Sequence, residues 1–432
     1  MSYTADCKFG TLVITHKGVL IKISYVFFVI LKGGVKMEQQ NIYKKNLKLT
    51  IIETILTSIG AGFSVPIINL FWNSIGMNQV DIGFTQMIFT IVVVCLDIPM
   101  GYFADRFNRK LLNIIGDIGV ALTFVFYAFA RNMYMAIFAE CLLGIFIAMT
   151  NGVDQSFIKY NADKIDSTGK LFKKVNTQIH TWRYISSFTV MLIGGLISKY
   201  SLRMTIMMSF FPYIIGGIIA FFIKDFAKKV EKQHKNLFKD MLINTRKILK
   251  NAKTRTYLFA YIVGKEITHP HIWIFTPLMI IAGVPIEIVS FGWILSEIFK
   301  IFGAKLAEKI VNLKTSVKYM ISVGITFLWM IILIINTNIF TIWIFVLNGL
   351  VQGIISPSII IPLQESVEEE YQASVISIAS TGARLFYIPL VYIINYLGNI
   401  KLQLALIGMI VIFTPISLFI YRKLRECEMC VK

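Results

Sequence analysis

Charged residues are scarce in this sequence. They make up 16% of its 432 residues, whereas soluble globular proteins carry about 25%. Hydrophobic residues reach 56%, and this composition excludes a disordered, collagen-like or coiled-coil chain. Five cysteines are too few to hold a chain of this length together as a disulfide scaffold. The 34 phenylalanines are typical of a protein dissolved in lipid.

Acidic residues are the scarcer of the two charged classes. The chain has 24 Asp and Glu against 43 Lys and Arg, a formal net charge of +19. On a soluble protein this excess suggests nucleic-acid binding, whereas on a membrane protein it indicates basic cytoplasmic loops. The positions of the basic residues along the chain decide between these interpretations.

Apolar runs follow one another from Leu47 onward, separated by short polar breaks. Each run is long enough to cross a hydrocarbon core of about 30 Å. Backbone groups have no water partners there, so each span is expected to be helical. The twelve predicted spans are 47–72, 81–104, 111–130, 134–156, 179–198, 203–223, 256–281, 287–304, 317–336, 339–362, 373–397 and 402–421. The sequence therefore predicts an all-α membrane protein with twelve transmembrane helices.

Most Lys and Arg residues lie on one side of these spans. They are concentrated in 37–46, 105–110, 157–178, 224–255, 305–316 and 422–432. The breaks on the other side contain only Arg131, Lys199, Arg203 and Lys401. Segment 363–372 is acidic, but acidic residues have little orienting weight. The bias predicts a multi-pass plasma-membrane protein with both termini in the cytoplasm, and it explains the net charge without nucleic acid.

Residues 1–36 precede the first predicted span. Their one apolar run, Val19–Leu31, is too short to span a bilayer and is compatible with a signal peptide. Lys32-Gly33-Gly34 can be encoded by a bacterial ribosome-binding sequence just upstream of Met37. We therefore expect a bacterial protein that starts at Met37, with 1–36 a translated leader or a disordered extension.

The polar interval 224–255 divides the twelve spans into six and six. It predicts an N-terminal six-helix bundle over 37–223, a basic cytoplasmic linker over 224–255, and a C-terminal six-helix bundle with a short tail over 256–432. The linker is either solvated or a helix on the anionic membrane surface. A short echo, FADRF after span 2 and LAEKI after span 8, indicates pseudo-symmetric halves. Secondary transporters are commonly built this way, with the site between the halves.

The segment 97–110 reads DIPMGYFADRFNRK. It resembles the signature of the major facilitator superfamily, approximately G-x-x-x-D-R-x-G-R-R/K, which lies between helices 2 and 3. The matching residues are Gly101, Asp105, Arg106, Arg109 and Lys110. Asn108 replaces the usual glycine, and asparagine tolerates positive φ. Asp97 and Pro99 upstream resemble the bacterial efflux branch, although span 5 lacks the glycine–proline pattern of many drug–proton antiporters.

The resemblance implies the major facilitator fold and transport by alternating access, without enzyme activity. It also implies a conformational gate made of the five matching residues and Asp154. Asp105 would lie at the N-terminal end of helix 11, and Arg109 would pair with Asp154, so that the cytoplasmic side is closed. The alternative is that Asp105, Arg106 and Lys110 only mark a helix end.

Ionisable residues within the spans are functional candidates, because each costs a few kcal/mol on insertion scales. Glu53, Asp97, Asp117 and Arg183 lie nearer the inner face, Glu140 lies nearer the outer face, and the ionisable residues of spans 7, 8 and 11 lie near the middle. The candidates for proton coupling or substrate binding are Asp97, Lys265, Glu266, His269, Glu297 and Arg384.

Span 7 is the richest of the twelve in such residues. Lys265 and His269 are one turn apart on one face, and Pro270 is expected to kink the helix beside them. Glu266 or Glu297 could exchange protons, and Arg384 could receive the negative charge or an anionic substrate. The alternative is a network that serves packing alone.

The sequence contains no P-loop, so ATP binding by this chain is not expected to drive transport. The tail motif Cys427-x-x-Cys430 lacks partners for zinc, and we expect no metal and no cofactor. The leading hypothesis is a monomeric, proton-coupled exporter whose partners are a small-molecule substrate, protons and the bilayer. Proton-coupled uptake of a sugar, peptide or other metabolite is the second. A non-transporting receptor or structural protein with the same fold is the third.

Overall fold

The computed structural model describes residues 18–106, 109–151, 153–224, 245–246, 248–269, 272–368 and 371–429. Within these ranges the side chains of residues 18–39, 98, 101–106, 155, 173, 180 and 373 fall outside the description. The described residues form helices and no strand. The predicted all-α class is confirmed.

The helices of the N-terminal half follow the predicted spans 1 to 6. They are α1 (Gly18–Ser64), α2 (Ile68–Ser74), α3 (Gln79–Arg106), α4 (Arg109–Phe129), α5 (Met133–Thr150), α6 (Val153–Ile165), α7 (Lys170–Ser198), α8 (Leu202–Met208) and α9 (Phe210–Phe221). Span 4 corresponds to α5 and α6, and span 6 to α8 and α9.

The helices of the C-terminal half follow spans 7 to 12. They are α10 (Ala252–Glu266), α11 (Ile272–Ile281), α12 (Ile286–Lys309), α13 (Thr315–Ile335), a 3-10 helix (Thr341–Val346), α14 (Leu347–Glu365), α15 (Gln372–Ile400) and α16 (Leu402–Met429). The predicted linker 224–255 lies largely outside the described residues, so the domain division stays a prediction.

Nine helical segments of the described chain are long and apolar enough to cross a membrane. The places of the three other predicted spans are taken by α7, by the pair α10 and α11, and by α12. These are interrupted or carry charged residues, such as Arg183 in α7 and Glu297 in α12. The described helices therefore fit the predicted count of twelve.

The first span of each half is interrupted near a proline. The N-terminal one breaks between α1 and α2 around Pro66, and the C-terminal one breaks between α10 and α11. Proline lacks an N–H donor and disfavours a helical residue before it. The segments beyond the two breaks touch: Asn69 Nδ2 donates to the Trp273 carbonyl at 2.9 Å, and Trp72 stacks on Trp273 with ring centroids 5.4 Å apart.

Glycines bring α12 and α14 into close contact. A Cβ atom at Gly349 would overlap the carbonyl oxygen of Ser296, and one at Gly353 would overlap that of Lys300. Small residues allow this approach between membrane helices. It places Glu297 and Lys300 of α12 beside the polar residues of α14.

We call the end of the bundle where α3 ends and α12 ends the basic side, because residues 105–110 and 305–316 there are rich in Lys and Arg. The two halves meet firmly at the opposite side. Lys199 Nζ of α7 lies 3.3 Å from Glu287 Oε1 of α12, and Gly83 of α3 packs against Asn395 of α15. Which side is cytoplasmic stays a prediction.

Candidate functional site

A central cavity of about 310 Å³ lies between the two halves at mid-depth. Its lining comes from α3 and α5 of one half and from α10, α11, α15 and the break after α10 in the other. The lining residues are Gln86, Phe89, Thr90, Val93, Ile147, Lys265, Glu266, His269, Ile272, Trp273, Arg384 and Tyr387. The cavity therefore changes shape whenever the halves move relative to each other.

A side cavity of about 250 Å³ lies within the C-terminal half. It is lined by Tyr261, Gly264, Lys265, Thr268, His269, Lys300, Gln352, Ile355, Ser356 and Ile359. Lys265 and His269 line both cavities. The two spaces thus share one wall, which is the break in span 7.

The break in span 7 exposes backbone groups that side chains of α14 satisfy. The Thr268 carbonyl accepts hydrogen bonds from Gln352 Nε2 at 3.2 Å and from Asn348 Nδ2 at 3.5 Å. Unpaired backbone groups are costly at membrane depth, and these donors remove the cost. The interruption falls where Pro270 predicts a kink, although residues 270 and 271 lie outside the description.

Glu266 and His269 face each other at the end of α10. The Glu266 side chain is buried, and its Oε2 atom lies 3.4 Å from Nδ1 of His269. Neither atom has a hydrogen-bond partner among the described residues. The His269 ring packs against Tyr387 with centroids 4.7 Å apart, and Trp273 Nε1 donates to the Tyr387 hydroxyl at 2.7 Å. The aromatic contacts therefore orient the imidazole toward the carboxyl group.

Asp97 and Arg384 form an ion pair across the interface between the halves. Asp97 lies nine positions before the end of α3, and Arg384 lies twelve positions after the start of α15. At 1.5 Å per residue, both lie roughly 15 Å from the basic side. Asn151 Nδ2 also donates to Asp97 Oδ1 at 2.9 Å, which fixes the carboxylate at the end of α5.

Glu297 lies in a second ion pair. Its Oε1 atom is 2.5 Å from Nζ of Lys300, one turn along α12, and Lys300 lines the side cavity. All six predicted coupling or binding residues thus gather around the two cavities. Lys265, Glu266, His269 and Arg384 line the central cavity, and Asp97 and Glu297 each bind a cation of a cavity wall.

The gate residues are only partly described. The side chains at 101–106, which include those of Asp105 and Arg106, fall outside the description. Lys110 Nζ donates to the Phe221 carbonyl at 2.6 Å, within the N-terminal half. Asp154 lies close to Arg183 and Asn113, and its pairing with Arg109 stays a prediction.

One cluster was not predicted from the sequence. Glu53 and Asp117 are buried side by side in the N-terminal half, close to Asp154. Asn113 Nδ2 donates to Glu53 Oε1 at 2.6 Å, and Arg183 is the cation that faces Asp154. The available signal was the similar depth of these ionisable residues in spans 1, 3, 4 and 5.

Comparisons with known proteins agree with this architecture. The family described as the Major Facilitator Superfamily matches residues 51–389. An MFS-type transporter of Methanocaldococcus jannaschii is 25% identical over 244 residues, which are 52% of this chain and 62% of that protein. Multidrug resistance protein 2 of Bacillus subtilis is 21% identical over 51% of this chain and 54% of its own length. The matched part thus spans less than two thirds of either relative.

A solved structure shows the same fold over nearly its whole length. The crystal structure of a variant of the nucleoside transporter NupG superposes with a TM-score of 0.74. The superposition covers 88% of this chain and 99% of that one, at 14% sequence identity. The family match, the two halves and the cavity between them lead to one conclusion: the chain is a member of the major facilitator superfamily.

Proposed function

We propose that this protein is a secondary active transporter that exports a small solute in exchange for protons. The observation that carries the proposal is the Glu266–His269 pair in the wall of the central cavity, between halves that can move against each other. Ionisable groups at mid-depth are expensive and mark substrate or proton pathways. Here one such pair lies beside the space that a solute would occupy.

The contacts between the halves support alternating access as the proposed mechanism. The Lys199–Glu287 ion pair and the Trp72–Trp273 stack close the opposite side. Export would require these contacts to separate and the basic side to close, by rocking of one bundle against the other. The proposed gate residues Asp105, Arg109 and Asp154 would then stabilise the closed basic side, which the positive-inside rule assigns to the cytoplasm.

The 3.4 Å approach of Glu266 Oε2 and His269 Nδ1 supports the proposed proton coupling. A carboxylate oxygen and an unprotonated ring nitrogen are both acceptors and make no hydrogen bond. A proton on either atom converts the contact into one. A neutral imidazole can supply this proton from its own N–H, whereas an additional proton on the pair changes the charge of the cavity wall. In the proposed mechanism, this change of charge links solute binding to proton binding.

Export is the direction that the matched relatives favour. The Bacillus subtilis relative is named a multidrug resistance protein, and a match of similar strength is the multi-drug resistance efflux pump PmrA of Streptococcus pneumoniae. These relatives support export as the direction of transport. No substrate is inferred from them.

Everted membrane vesicles test the proposal. A proton gradient is established, solutes of different charge are added in turn, and collapse of the gradient is followed with a pH-sensitive dye. We expect at least one solute to dissipate the gradient in vesicles that contain the wild-type protein, and not in vesicles with Glu266→Gln. Glu426→Gln, at an exposed carboxyl group on the tail, is the matched control. Solute uptake in whole cells that is driven by the same gradient would reverse the proposed direction.

A further inference from the structure

We propose that the solute is an organic anion whose acidic group pairs with Lys265 and whose apolar body lies in the central cavity. The inference rests on the proposed function, because it takes the cavity to be the solute site. It adds the chemical class of the solute and names the residue that selects it.

The cations around the two cavities differ in their partners. Arg384 is bound to Asp97, and Lys300 is bound to Glu297. His269 faces Glu266. Within the described chain, Lys265 is the cavity cation whose ammonium group makes no ion pair and no hydrogen bond. An ammonium group at mid-depth is costly when it has no counter-ion, and an anionic ligand supplies one.

The neighbouring Glu266 does not take this role. Adjacent residues on a helix point about 100° apart, and the Glu266 carboxyl group is buried against His269. Lys265 is partly exposed and lines both cavities. Its ammonium group is therefore exposed to both cavities, whereas the carboxyl group beside it is buried and directed to His269.

The two cavities that meet at Lys265 have different chemistry. The central cavity offers apolar and aromatic walls, with Phe89, Ile272 and Trp273 among them. In the side cavity, the Thr268 hydroxyl donates to the Lys265 carbonyl, and one Gln352 N–H donates to the Thr268 carbonyl. This cavity offers the Ser356 hydroxyl and the second N–H of the Gln352 amide as donors. A ligand with its acidic group at Lys265 would place that group beside these donors and its apolar part against the aromatic wall. The volume of about 310 Å³ lies at the small end of ligand pockets.

Three probes with the same phenylbutyl skeleton and different charge test the inference: 4-phenylbutyrate, 4-phenylbutan-1-ol and 4-phenylbutylamine. Their binding to the purified full chain in nanodiscs is measured by calorimetry at one pH, without a gradient. We expect the carboxylate to bind at least tenfold more tightly than the alcohol or the amine. Lys265→Gln should weaken carboxylate binding at least tenfold and leave alcohol binding within about twofold.

Lys265→Arg is expected to retain most of the affinity, because it retains the charge. Lys305→Gln, at an exposed lysine of α12, is the matched control and should bind like the wild type. Each variant is first checked for an unchanged melting midpoint. If Lys265→Gln does not fold, the preference of the wild-type protein for the carboxylate over the alcohol and the amine still tests the anion assignment.

Equal or tighter binding of the amine would overturn the inference. The inference would also be overturned if Lys265→Gln left the affinity for the carboxylate unchanged, or if none of the three probes bound. The measurement is independent of direction and of proton coupling. If the vesicles export a cationic solute while the carboxylate fails to bind, the anion assignment is wrong and the proposed function stands. If the carboxylate binds at Lys265 but no solute affects the gradient, the anion assignment stands and the proposed proton-coupled export is wrong.

Discussion

The Asp97 carboxylate and the Arg384 guanidinium group form an ion pair that joins α3 of the N-terminal half to α15 of the C-terminal half. The pair lies at mid-depth, Arg384 also lines the central cavity, and Asn151 holds the other oxygen of Asp97. A movement of the halves must therefore either break this pair or pivot around it. Because each partner would be left as an uncompensated charge if the other were removed, the pair is expected to be sensitive to single substitutions.

A charge exchange tests that relationship. Asp97→Asn and Arg384→Gln should each lower solute transport at least tenfold, because each leaves one charge at mid-depth without its partner. The double variant Asp97→Arg with Arg384→Asp should recover part of the activity. The matched control is the exposed tail pair Lys423–Glu426, whose exchange should have no effect. All variants are compared at equal expression. If the double variant transports solute no faster than either single variant, the two residues do not act as a pair.

Glu266 and Glu297 should differ in their effect on proton coupling. Glu266 faces His269 at the cavity wall, whereas Glu297 is held by Lys300. Glu266→Gln is expected to abolish transport against a gradient and to flatten its pH profile, while exchange of solute down its gradient remains. Glu297→Gln should retain the pH profile of the wild type. Both rates are measured in proteoliposomes, and an unchanged pH profile in Glu266→Gln would place the coupling group elsewhere, with Asp97 the next candidate.

The gate hypothesis predicts a specific role for Asp105. Asp105→Asn should reach the membrane at normal levels yet reduce transport sharply, because it removes the charge proposed to hold the basic side closed. Asp163→Asn, at an exposed acid of α6 on the same side, is the control. If Asp105→Asn transports solute as fast as the wild type, the gating role is wrong and the charged residues of the motif only mark a helix end.

The contact between α12 and α14 should not tolerate added side-chain volume. Gly349→Ala places a methyl group against the Ser296 carbonyl, and such overpacking costs about 1–3 kcal/mol. Gly324→Ala on α13 has open space around its Cβ, and it should be neutral or slightly stabilising because alanine favours helix. Melting midpoints in detergent distinguish the two. Equal midpoints for both variants would mean that the helices can separate without cost.

The carboxyl cluster of the N-terminal half should depend on the positive charge of Arg183. Arg183→Met removes the positive charge that faces Asp154, and we expect it to lower stability by about 1–3 kcal/mol, as for other losses of a partner to a buried polar group. Lys174→Met, an exposed position on the same helix, should leave the melting midpoint unchanged. Glu53→Gln should be tolerated better than Arg183→Met, because it removes one of several crowded carboxylates. The reverse order would contradict this account of the cluster.

Several features of the protein could be predicted without its structure. Apolar runs long enough to cross a bilayer must be helical, because backbone groups find no other partners in lipid. The positions of the twelve predicted spans therefore agree with the helices, down to the break beside Pro270. Candidate site residues in the spans could be named for a similar reason, since a charged side chain such as that of Lys265 or Arg384 is too costly at mid-depth to be incidental.

Which of these residues act together was decided only by tertiary structure. The sequence places Asp97 nearer the inner face and Arg384 near the middle, and their pairing depends on how α3 crosses α15. Asp154 shows the same limit, because its proximity to Arg183 depends on the packing of α5, α6 and α7, while its pairing with Arg109 stays a prediction. The availability of Lys265 emerges only after every other cavity cation has found its partner. Sequence determines the depth of a residue through helix rise and hydrophobicity, whereas its partners depend on the rotation and crossing of helices, which distant side chains set.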